Sequence, residues 1–428
     1  MKITKFELFF IVLLAQSCSS QPSTTTKEIA LNKTINFTQS LKDYSFIKQS
    51  VNKIENDSLL KQVFQKLYNA KKKNNGKINM VQIGDSHIQA DYISNAIRIP
   101  LQHYFGNAGR GLIFPYKYAK TNGPDNYRSS SNINWISNKV LTSPHVGVAG
   151  FRLFTNGFVA EMSLAVNNQY DLDYSFTKAT VFAGQNETQK MSLYDNNSPE
   201  KAIEDSTFNS PIAKRFLFSK PISSVYQTYI DLEKQMKLYD GLFVENNQSG
   251  LIYSSMGVNG AKYNHYQKSE NFYKELEVIN PDIVIFSLGT NEGFSSKIGG
   301  FDVEIFHEEV IANLENIKQI CPNAIVLLMT PPDSYKMEGT DHIKNPNIKL
   351  IRNKLIEIAV DKKLPYWDMF TVLGGYGSME KWADANMTDK IWIHFSKKGY
   401  QIQGTLFAKA FIESFEKYCE TKKIKLND

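Results

Sequence analysis

The sequence predicts an α/β fold: a parallel β-sheet covered by helices on both faces and interrupted by an inserted all-β unit. From residue 280 onward, short apolar runs alternate with amphipathic helical patterns, which is typical of parallel sheets. Between about residues 145 and 248 the segments become short, rich in Thr, Asn, Tyr and Phe, and separated by turn residues. Strands at that spacing are typical of a β-sandwich.

The elements of the parallel sheet follow from the apolar patterns in chain order. Residues 77–84 form the first strand candidate, and a helical pattern follows over about 90–104. Beyond the insert, segments with the helical period of 3.6 residues alternate with short, continuously apolar segments that indicate strands. The strands are predicted at 283–288, 324–329 and 364–367, and the helices at 302–319, 345–361 and 396–418.

The inserted unit is predicted from seven short strand candidates. They lie at 151–154, 160–166, 178–182, 190–194, 215–218, 228–232 and 241–245. The predicted division of the chain is a first α/β part over 31–144, a β-sandwich over 145–248 and a second α/β part over 249–428.

Composition excludes several classes of function. Among 428 residues, Lys and Arg total 49 and Asp and Glu 43, a net charge of +6 spread over a long chain. No basic stripe interleaves with aromatic residues, so no nucleic-acid partner is predicted. The three cysteines cannot form a disulfide framework, and no Cys-x-x-Cys pair is present for zinc.

The N-terminus is predicted to be a targeting segment. Residues 1–17 have a basic start and a short apolar run over 6–15, which is too short to span a bilayer and is typical of a signal peptide. The string Ala15-Gln16-Ser17-Cys18 resembles a bacterial lipobox, although Ala15 stands where Leu is usual. The resemblance implies that Cys18 is lipidated and that 18–30 is a tether. A plain secretory signal is the alternative.

The strongest chemical signal is Gly84-Asp85-Ser86-His87 at the end of the first strand. Ligands of open α/β sheets bind at the carboxyl ends of the strands, and a serine there meets the N–H groups of a helix N-terminus. Three further segments complete the pattern. They are the glycine-rich loop 256–261, the strand end 287–292 and His394 before the last helix.

These segments, in this order, resemble the four blocks of the SGNH (GDSL) hydrolase superfamily, represented here by Ser86, Gly260, Asn291 and His394. The resemblance implies a doubly wound, flavodoxin-like, three-layer domain. The string 82–91 (Gln-Ile-Gly-Asp-Ser-His-Ile-Gln-Ala-Asp) is similar to the envelope branch that includes peptidoglycan O-acetylesterases. Those enzymes carry a carbohydrate-binding-like β domain after the first block, where the insert is predicted here.

The resemblance implies a catalytic role for each block. Ser86 would attack an ester carbonyl and His394 would take its proton. The N–H groups of Ser86 and Gly260 and the amide of Asn291 would form the oxyanion hole; Gly257 is an alternative to Gly260. Asp85 and His87 are interpreted as structural hydrogen-bonding residues. No metal and no cofactor are predicted.

The acidic member departs from the family pattern. The family places Asp three residues before the histidine, where this chain has Ile391. Asp389 is the nearest acid on the same loop. Three alternatives stay open: a bulged loop that lets Asp389 reach the histidine, a backbone carbonyl in its place, or a protein that has lost activity.

The predicted function is therefore a serine esterase that removes O-acetyl groups from peptidoglycan or another polysaccharide. The predicted partners are an acetylated glycan and, through the lipid anchor on Cys18, a membrane. The predicted location is the cell envelope, on the periplasmic or outer-membrane side of a Gram-negative bacterium. The alternatives are a catalytically impaired glycan-binding lipoprotein and an O-acetyltransferase.

Overall fold

The computed structural model describes residues 41, 44–169, 171–184, 190–198, 200–230, 236–294 and 300–423. The predicted signal peptide, the tether and Cys18 lie outside the described residues. In the ranges just given, no helix is long and apolar enough to cross a bilayer.

The strands and helices are numbered here in chain order. The strands of the parallel sheet are β1 (Lys77–Gly84), β14 (Gly250–Gly257), β15 (Ile283–Ser287), β16 (Ile325–Met329) and β19 (Tyr366–Trp367). The other strands are β2 (Gly111–Ile113), β3 (Tyr127–Ser131), β4 (Ile136–Lys139), β5 (Phe151–Thr155), β6 (Val159–Val166), β7 (Phe176–Phe182), β8 (Met191–Asp195), β9 (Ile203–Glu204), β10 (Ala213–Ile222), β11 (Ser224–Ile230), β12 (Lys237–Tyr239), β13 (Gly241–Glu245), β17 (Tyr335–Glu338) and β18 (Asp341–Lys344). The helices are α1 (Lys61–Lys73), α2 (Ser86–Gln89), α3 (Tyr92–Phe105), α4 (Tyr263–Tyr266), α5 (Glu270–Ile279), α6 (Val303–Ile320), α7 (Pro346–Asp361), α8 (Met369–Val372), α9 (Ser378–Asp384) and α10 (Lys397–Thr421).

The five strands of the parallel sheet lie in the order β14-β1-β15-β16-β19, and every neighbouring pair is parallel. Numbered by their place along the chain, these strands read 2-1-3-4-5, the flavodoxin-like doubly wound order. The predicted fold class is confirmed. The order reverses beside β1, so the carboxyl end of β1 is where a ligand crevice is expected.

The sheet is the middle of three layers, because alternate side chains of its strands enter two separate cores. Val81 and Ile83 of β1 belong to one core, together with side chains of α5, α6 and α7. Ile78 and Met80 belong to the other, together with side chains of α1, α3 and α10. This alternation follows from the period of two in a strand. It explains why β15 and β16 read as nearly continuous apolar runs.

The region between β2 and β13 is antiparallel and forms extra β-sheets beside the α/β layers. Its strand orders are β2-β13-β7-β10-β9, β3-β6-β11-β8 and β12-β5-β4. Each of the seven predicted strand segments overlaps a strand of this region, although residue 190 precedes its strand and residues 231 and 232 lie outside the described residues. The strands begin at Gly111, so residue 145, the predicted start of the insert, lies inside the antiparallel region. Strands β2, β3 and β4, with three to five residues each, carry little hydrophobic pattern.

Candidate active site

The site begins where β1 ends and α2 begins. Ser86 is the first residue of α2, and Asp85 caps the helix by accepting a hydrogen bond from the His87 N–H at 3.0 Å. A Cβ atom on Gly84 would lie 2.9 Å from the Ser287 carbonyl oxygen and would collide with Ile88. Glycine is therefore required at this position for the strand to turn into the helix beside β15.

Ser86, His394 and Asp389 form a chain of hydrogen bonds. The Ser86 Oγ lies 2.8 Å from His394 Nε2, and His394 Nδ1 lies 3.0 Å from Asp389 Oδ2. The carboxylate can only accept, so Nδ1 carries a proton and Nε2 is free to accept the serine hydroxyl. This is the arrangement that nucleophilic catalysis by serine requires.

The loop that holds Asp389 explains how it reaches the histidine from five residues away. The Asp389 N–H donates to the His394 carbonyl oxygen at 2.9 Å, and Asp389 Oδ1 accepts from the Ile393 N–H at 3.1 Å. Trp392 adopts a left-handed conformation with φ 55°, and Ile391 is 42% exposed. The loop therefore bulges outward at Ile391 and Trp392. Of the three alternatives for the orienting group, this geometry matches the first.

A hairpin formed by β17 and β18 supports the bulge. The His342 ring stacks on Trp392 with centroids 3.9 Å apart, and His342 Nε2 donates to the Lys390 carbonyl oxygen at 2.9 Å. The Tyr335 N–H donates to the Trp392 carbonyl oxygen. Sequence reasoning gave His342 no partner, because its partners lie about 50 residues further along the chain.

The turn of residues 258–261 follows β14 and is bonded to the end of β1 through Val258 and to α2 through Asn259. It is called the oxyanion turn below, because it contains the predicted oxyanion donor Gly260. Gly260 has φ 80°, in the left-handed region that favours glycine. Gly257 instead lies in β14, where a Cβ atom would lie 2.3 Å from the Gln89 nitrogen of α2. Gly257 is therefore needed for close packing, and the geometry places Gly260, not Gly257, in the turn beyond the strand.

Asn291 follows β15 and points its amide between two acceptors. Its Nδ2 donates to the Ala261 carbonyl oxygen at 3.0 Å and lies 3.3 Å from Asp85 Oδ2. The amide is thereby tied both to the oxyanion turn and to the cap of α2. The structure connects Ser86 to His394 and Asp389, and it places Gly260 next to Ala261, the hydrogen-bond partner of Asn291. Cys18, the predicted lipidation site, lies outside the described residues.

Burial and nearby charges shift the pKa values of His87 and Asp389. Burial, followed by the charge of His394, lowers the pKa of His87 to about 3, so His87 is neutral at ordinary pH. Its Nδ1 lies 2.9 Å from the Tyr400 hydroxyl. Burial opposes ionisation of Asp389, but its hydrogen bonds with His394 and Ile393 outweigh burial and lower its pKa. The ionised Asp389 carboxylate is therefore a hydrogen-bond acceptor for His394 Nδ1.

Asp85 behaves as a buried structural acid. Burial raises its pKa to about 7, against the opposing effects of the His87 N–H and the charge of His394. Its two oxygens contact the His87 N–H and the Asn291 amide, which agrees with the structural role expected from the sequence. Among the described residues, no group of three or more His, Cys, Asp or Glu side chains could hold a metal ion.

Comparisons with known proteins bear on the family and the fold of the chain. Residues 223–402 match the model of the GDSL-like lipase/acylhydrolase family, a range that contains Gly260, Asn291 and His394 but not Ser86. No curated protein sequence matches the chain significantly. A solved peptidoglycan O-acetylesterase matches 87% of this chain and 98% of its own at 21% identity, with a TM-score of 0.68. At that identity the likeness shows the fold alone.

Two further solved structures match about two fifths of the chain. A lipase/acylhydrolase from Enterococcus faecalis is 21% identical over 40% of this chain and 78% of its own, with a TM-score of 0.30. A catalytic mutant of an acetylxylan esterase from Geobacillus stearothermophilus is 15% identical over 39% and 74%, also with a TM-score of 0.30.

Proposed function

We propose that the chain, whose residues 223–402 match the GDSL-like lipase/acylhydrolase family model, is a serine esterase that removes O-acetyl groups from peptidoglycan or another polysaccharide. The observation that carries the proposal is the pair of contacts at His394, 2.8 Å to Ser86 Oγ and 3.0 Å to Asp389 Oδ2. A serine hydroxyl is a weak nucleophile unless a neighbouring base accepts its proton.

The reaction proceeds in two halves. Ser86 Oγ attacks the ester carbonyl while His394 Nε2 takes the hydroxyl proton, and Asp389 stabilises the imidazolium that forms. The imidazolium then protonates the leaving sugar oxygen, which departs and leaves an acyl group on Ser86. A water molecule, deprotonated by the same histidine, releases the acid and restores the serine.

The tetrahedral intermediate places a negative charge on the former carbonyl oxygen. Ser86 donates from the first turn of α2, where an N–H has no partner within the helix. Gly260 donates from the oxyanion turn. Asn291 donates by exchanging its longer contact, 3.3 Å to Asp85, for the substrate oxygen. One such donor is worth about 10²–10³ in rate.

The acetylated glycan enters the proposal through the similar peptidoglycan O-acetylesterase, whose fold this chain shares almost from end to end. In this proposal the antiparallel region docks the polymer beside Ser86. Loss of docking would weaken turnover of a polymeric substrate more than turnover of a small aryl ester, since only the polymer reaches beyond the site.

The location in this proposal is the cell envelope, with Cys18 lipidated as the first residue of the mature protein and anchored in a membrane. The support is the sequence of residues 1–18 alone. Replacing Cys18 with Ser should release the protein into the soluble fraction of fractionated cells. Unchanged membrane association of that variant would contradict lipidation of Cys18.

The experiment that tests the activity is acetate release from a panel of acetylated glycans, with Ser86→Ala as the control. We expect release from at least one glycan by the native protein and none above background by the variant. Product formed only when a second sugar supplies the acceptor hydroxyl would indicate an O-acetyltransferase. Glycan binding without acetate release would indicate the binding-protein alternative.

A further inference from the structure

Within the residues that the structure describes, the oxyanion turn, residues 258–261, is held by hydrogen bonds at three of its four backbone N–H groups. In the described part of the chain, the Gly260 N–H is the one left to bind substrate. The bonds are Val258 N–H to the Gly84 carbonyl oxygen at 3.2 Å, Asn259 N–H to Gln89 Oε1 at 2.7 Å and Ala261 N–H to the Val258 carbonyl oxygen at 2.9 Å.

Gln89 supplies the middle bond of that set from inside the protein. It is the last residue of α2, three residues after Ser86, and only 1% of it is exposed. Its Nε2 lies 2.7 Å from the Asn122 carbonyl oxygen and 2.9 Å from both Asn122 Oδ1 and Thr121 Oγ1. Oxygen acceptors surround Nε2, so the amide is oriented with Oε1 toward Asn259.

The segment that Gln89 holds on its other side, residues 121–125, forms part of the rim of the site. At one end, Asn259 Nδ2 donates to Asn122 Oδ1 at 2.7 Å. At the other end, Asp125 forms an ion pair of 2.6 Å with Lys397, three residues after His394. The rim segment therefore joins the oxyanion turn to the start of α10, and Gln89 is bonded to both the turn and the segment.

We propose that Gln89 is a positioning residue for catalysis, which fixes the direction of the Gly260 N–H by binding Asn259 and the rim segment with one buried amide. The Gly260 N–H belongs to the peptide that follows Asn259, so its direction depends on the Asn259 backbone. That residue is fixed at its own N–H by Gln89 and at its side chain by Asn122. The inference rests on the proposed esterase function.

The expected signature is a loss of kcat without a matching change in KM. A donor that meets the substrate oxygen only when it becomes charged lowers the barrier and leaves ground-state binding alone. Gln89→Met keeps the approximate length of the side chain and removes all its hydrogen bonds. On p-nitrophenyl acetate we expect kcat to fall about 10–100-fold, a part of the about 10²–10³ that one oxyanion donor provides. KM should stay within about threefold.

Gln102→Met is the matched control. Gln102 is also 1% exposed and makes three hydrogen bonds through its amide, but it lies in α3 and contacts Gly109, Leu251 and Tyr174. Both variants should lose thermal stability, and only Gln89→Met should lose kcat at 25 °C. Equal kcat in Gln89→Met and Gln102→Met would overturn the inference and leave Gln89 a structural residue.

Asn122→Ala is the second test, because Asn122 is exposed and the substitution spares the core. It removes one acceptor of Gln89 and the partner of the Asn259 side chain. We expect a kcat between those of the native protein and Gln89→Met. A kcat equal to that of the native protein would contradict the part of the inference that assigns positioning to the rim segment.

A labelling experiment distinguishes failure of this inference from failure of the proposed function. A small fluorophosphonate forms a bond to Ser86 Oγ and releases fluoride, and the rate of this reaction is measured. Mass spectrometry reports that rate without any assumption about the natural ester. If Ser86 of the native protein is not labelled, both the proposed function and the inference fail. If the native protein and Gln89→Met are labelled equally fast, only the inference fails. Slower labelling of Gln89→Met by the same 10–100-fold would support it.

Discussion

The parallel α/β region and the antiparallel region between β2 and β13 differ in how many predicted site residues they contain. In the described part of the chain, Ser86, Asn291 and the oxyanion turn follow the carboxyl ends of β1, β15 and β14, and His394 lies just before α10. None of the predicted site residues lies in the antiparallel region. The proposed ester hydrolysis therefore depends on the topology of the parallel sheet.

The two regions nevertheless share one interior. Val81 and Ile83 of the parallel sheet belong to the same core as Val181 of β7 and Leu242 of β13. Two clusters of buried charges also cross the junction. In one, Asp91 before α3 contacts Arg98 and Arg110 and accepts a hydrogen bond from Asn126 of the antiparallel region at 2.6 Å. In the other, Arg152 and Asp240 of the antiparallel region lie beside Glu275 of α5. The antiparallel region is therefore built into the fold rather than attached to it.

The largest expected effect on ester turnover comes from replacing a serine with alanine in the parallel region, and the same replacement in the antiparallel region is its control. Ser86→Ala should lower ester turnover by about 10⁶, the order expected for loss of a triad nucleophile. Its stability should change little, because the recorded hydrogen bond of Ser86 Oγ is with the partly exposed His394. Ser192→Ala, in β8 of the antiparallel region, should leave turnover of p-nitrophenyl acetate unchanged. A comparable loss in both variants would contradict the division.

A large effect is also expected at Asp389. Asp389→Asn should lower kcat by about 10²–10⁴, because an amide favours the wrong tautomer of His394. Ile391→Asp is the control: Asp389 already occupies Nδ1 and residue 391 points outward, so kcat should stay within about threefold. If Asp389→Asn were neutral and Ile391→Asp raised the activity, the family position would be the effective one and the assignment of Asp389 would be wrong.

The third prediction concerns the charge cluster that joins the two regions. Asp91 lies 2.7 Å from both Arg98 and Arg110, and all three side chains are almost fully buried. Asp91→Asn retains a residue that tolerates the left-handed conformation, φ 63°. It removes the charge that compensates two buried guanidinium groups, so the free energy of unfolding should fall by about 3–5 kcal/mol.

Denaturant unfolding measures this effect and tests whether the regions unfold together. A shared core predicts one cooperative transition in the native protein and in the variant. Asp57→Asn, which breaks an exposed ion pair of 3.0 Å with Lys417, should cost about 0–1 kcal/mol. Two separate transitions in the native protein would show that the antiparallel region is an independent unit.

The same contrast explains which parts of the fold were predictable from sequence. The strands β1, β15 and β16 are buried apolar runs, and their predicted bounds agree with the structure to within about two residues. Strand β14 was missed because its pattern is interrupted by two serines. Ser254 accepts the Leu112 N–H at 3.0 Å and Ser255 donates to Asp91 at 2.7 Å, and such distant partners leave no local signal.

The candidate catalytic residues also differ in how far the sequence predicts their positions. Ser86 lies in a motif that depends only on a strand, a glycine and a helix start, so the motif alone predicted its position. The approach of Asp389 to His394 depends on the bulge at Trp392, which is supported by His342 from a hairpin elsewhere in the chain. The sequence identifies Asp389 as the nearest acid to His394 on the loop. It does not predict whether Asp389 reaches His394, because the hairpin that supports the bulge lies elsewhere in the chain.

The smallest effect is expected at the second junction cluster and depends on pH. Glu275 is 1% exposed, and its Oε2 accepts the Val148 N–H at 2.7 Å. Burial and, next, the neighbouring Asp240 carboxylate raise the pKa of Glu275 well above the ordinary 4.5, against the effects of the Val148 N–H and Arg152. The folded protein therefore holds a proton on Glu275 that the unfolded chain releases near its ordinary pKa.

A pKa raised by folding stabilises the protein fully below the pKa of the unfolded chain, and this contribution is lost as the pH rises through the folded pKa. The native protein should therefore become less stable as the pH increases above 4.5. Glu275→Gln stays neutral and keeps an acceptor for Val148, so its free energy of unfolding should fall less between pH 5 and pH 9. Glu277→Gln, on the exposed side of the same helix, should follow the native curve. If all three curves were parallel, folding would not raise the pKa of Glu275, and the assignment of a buried proton at this junction would be wrong.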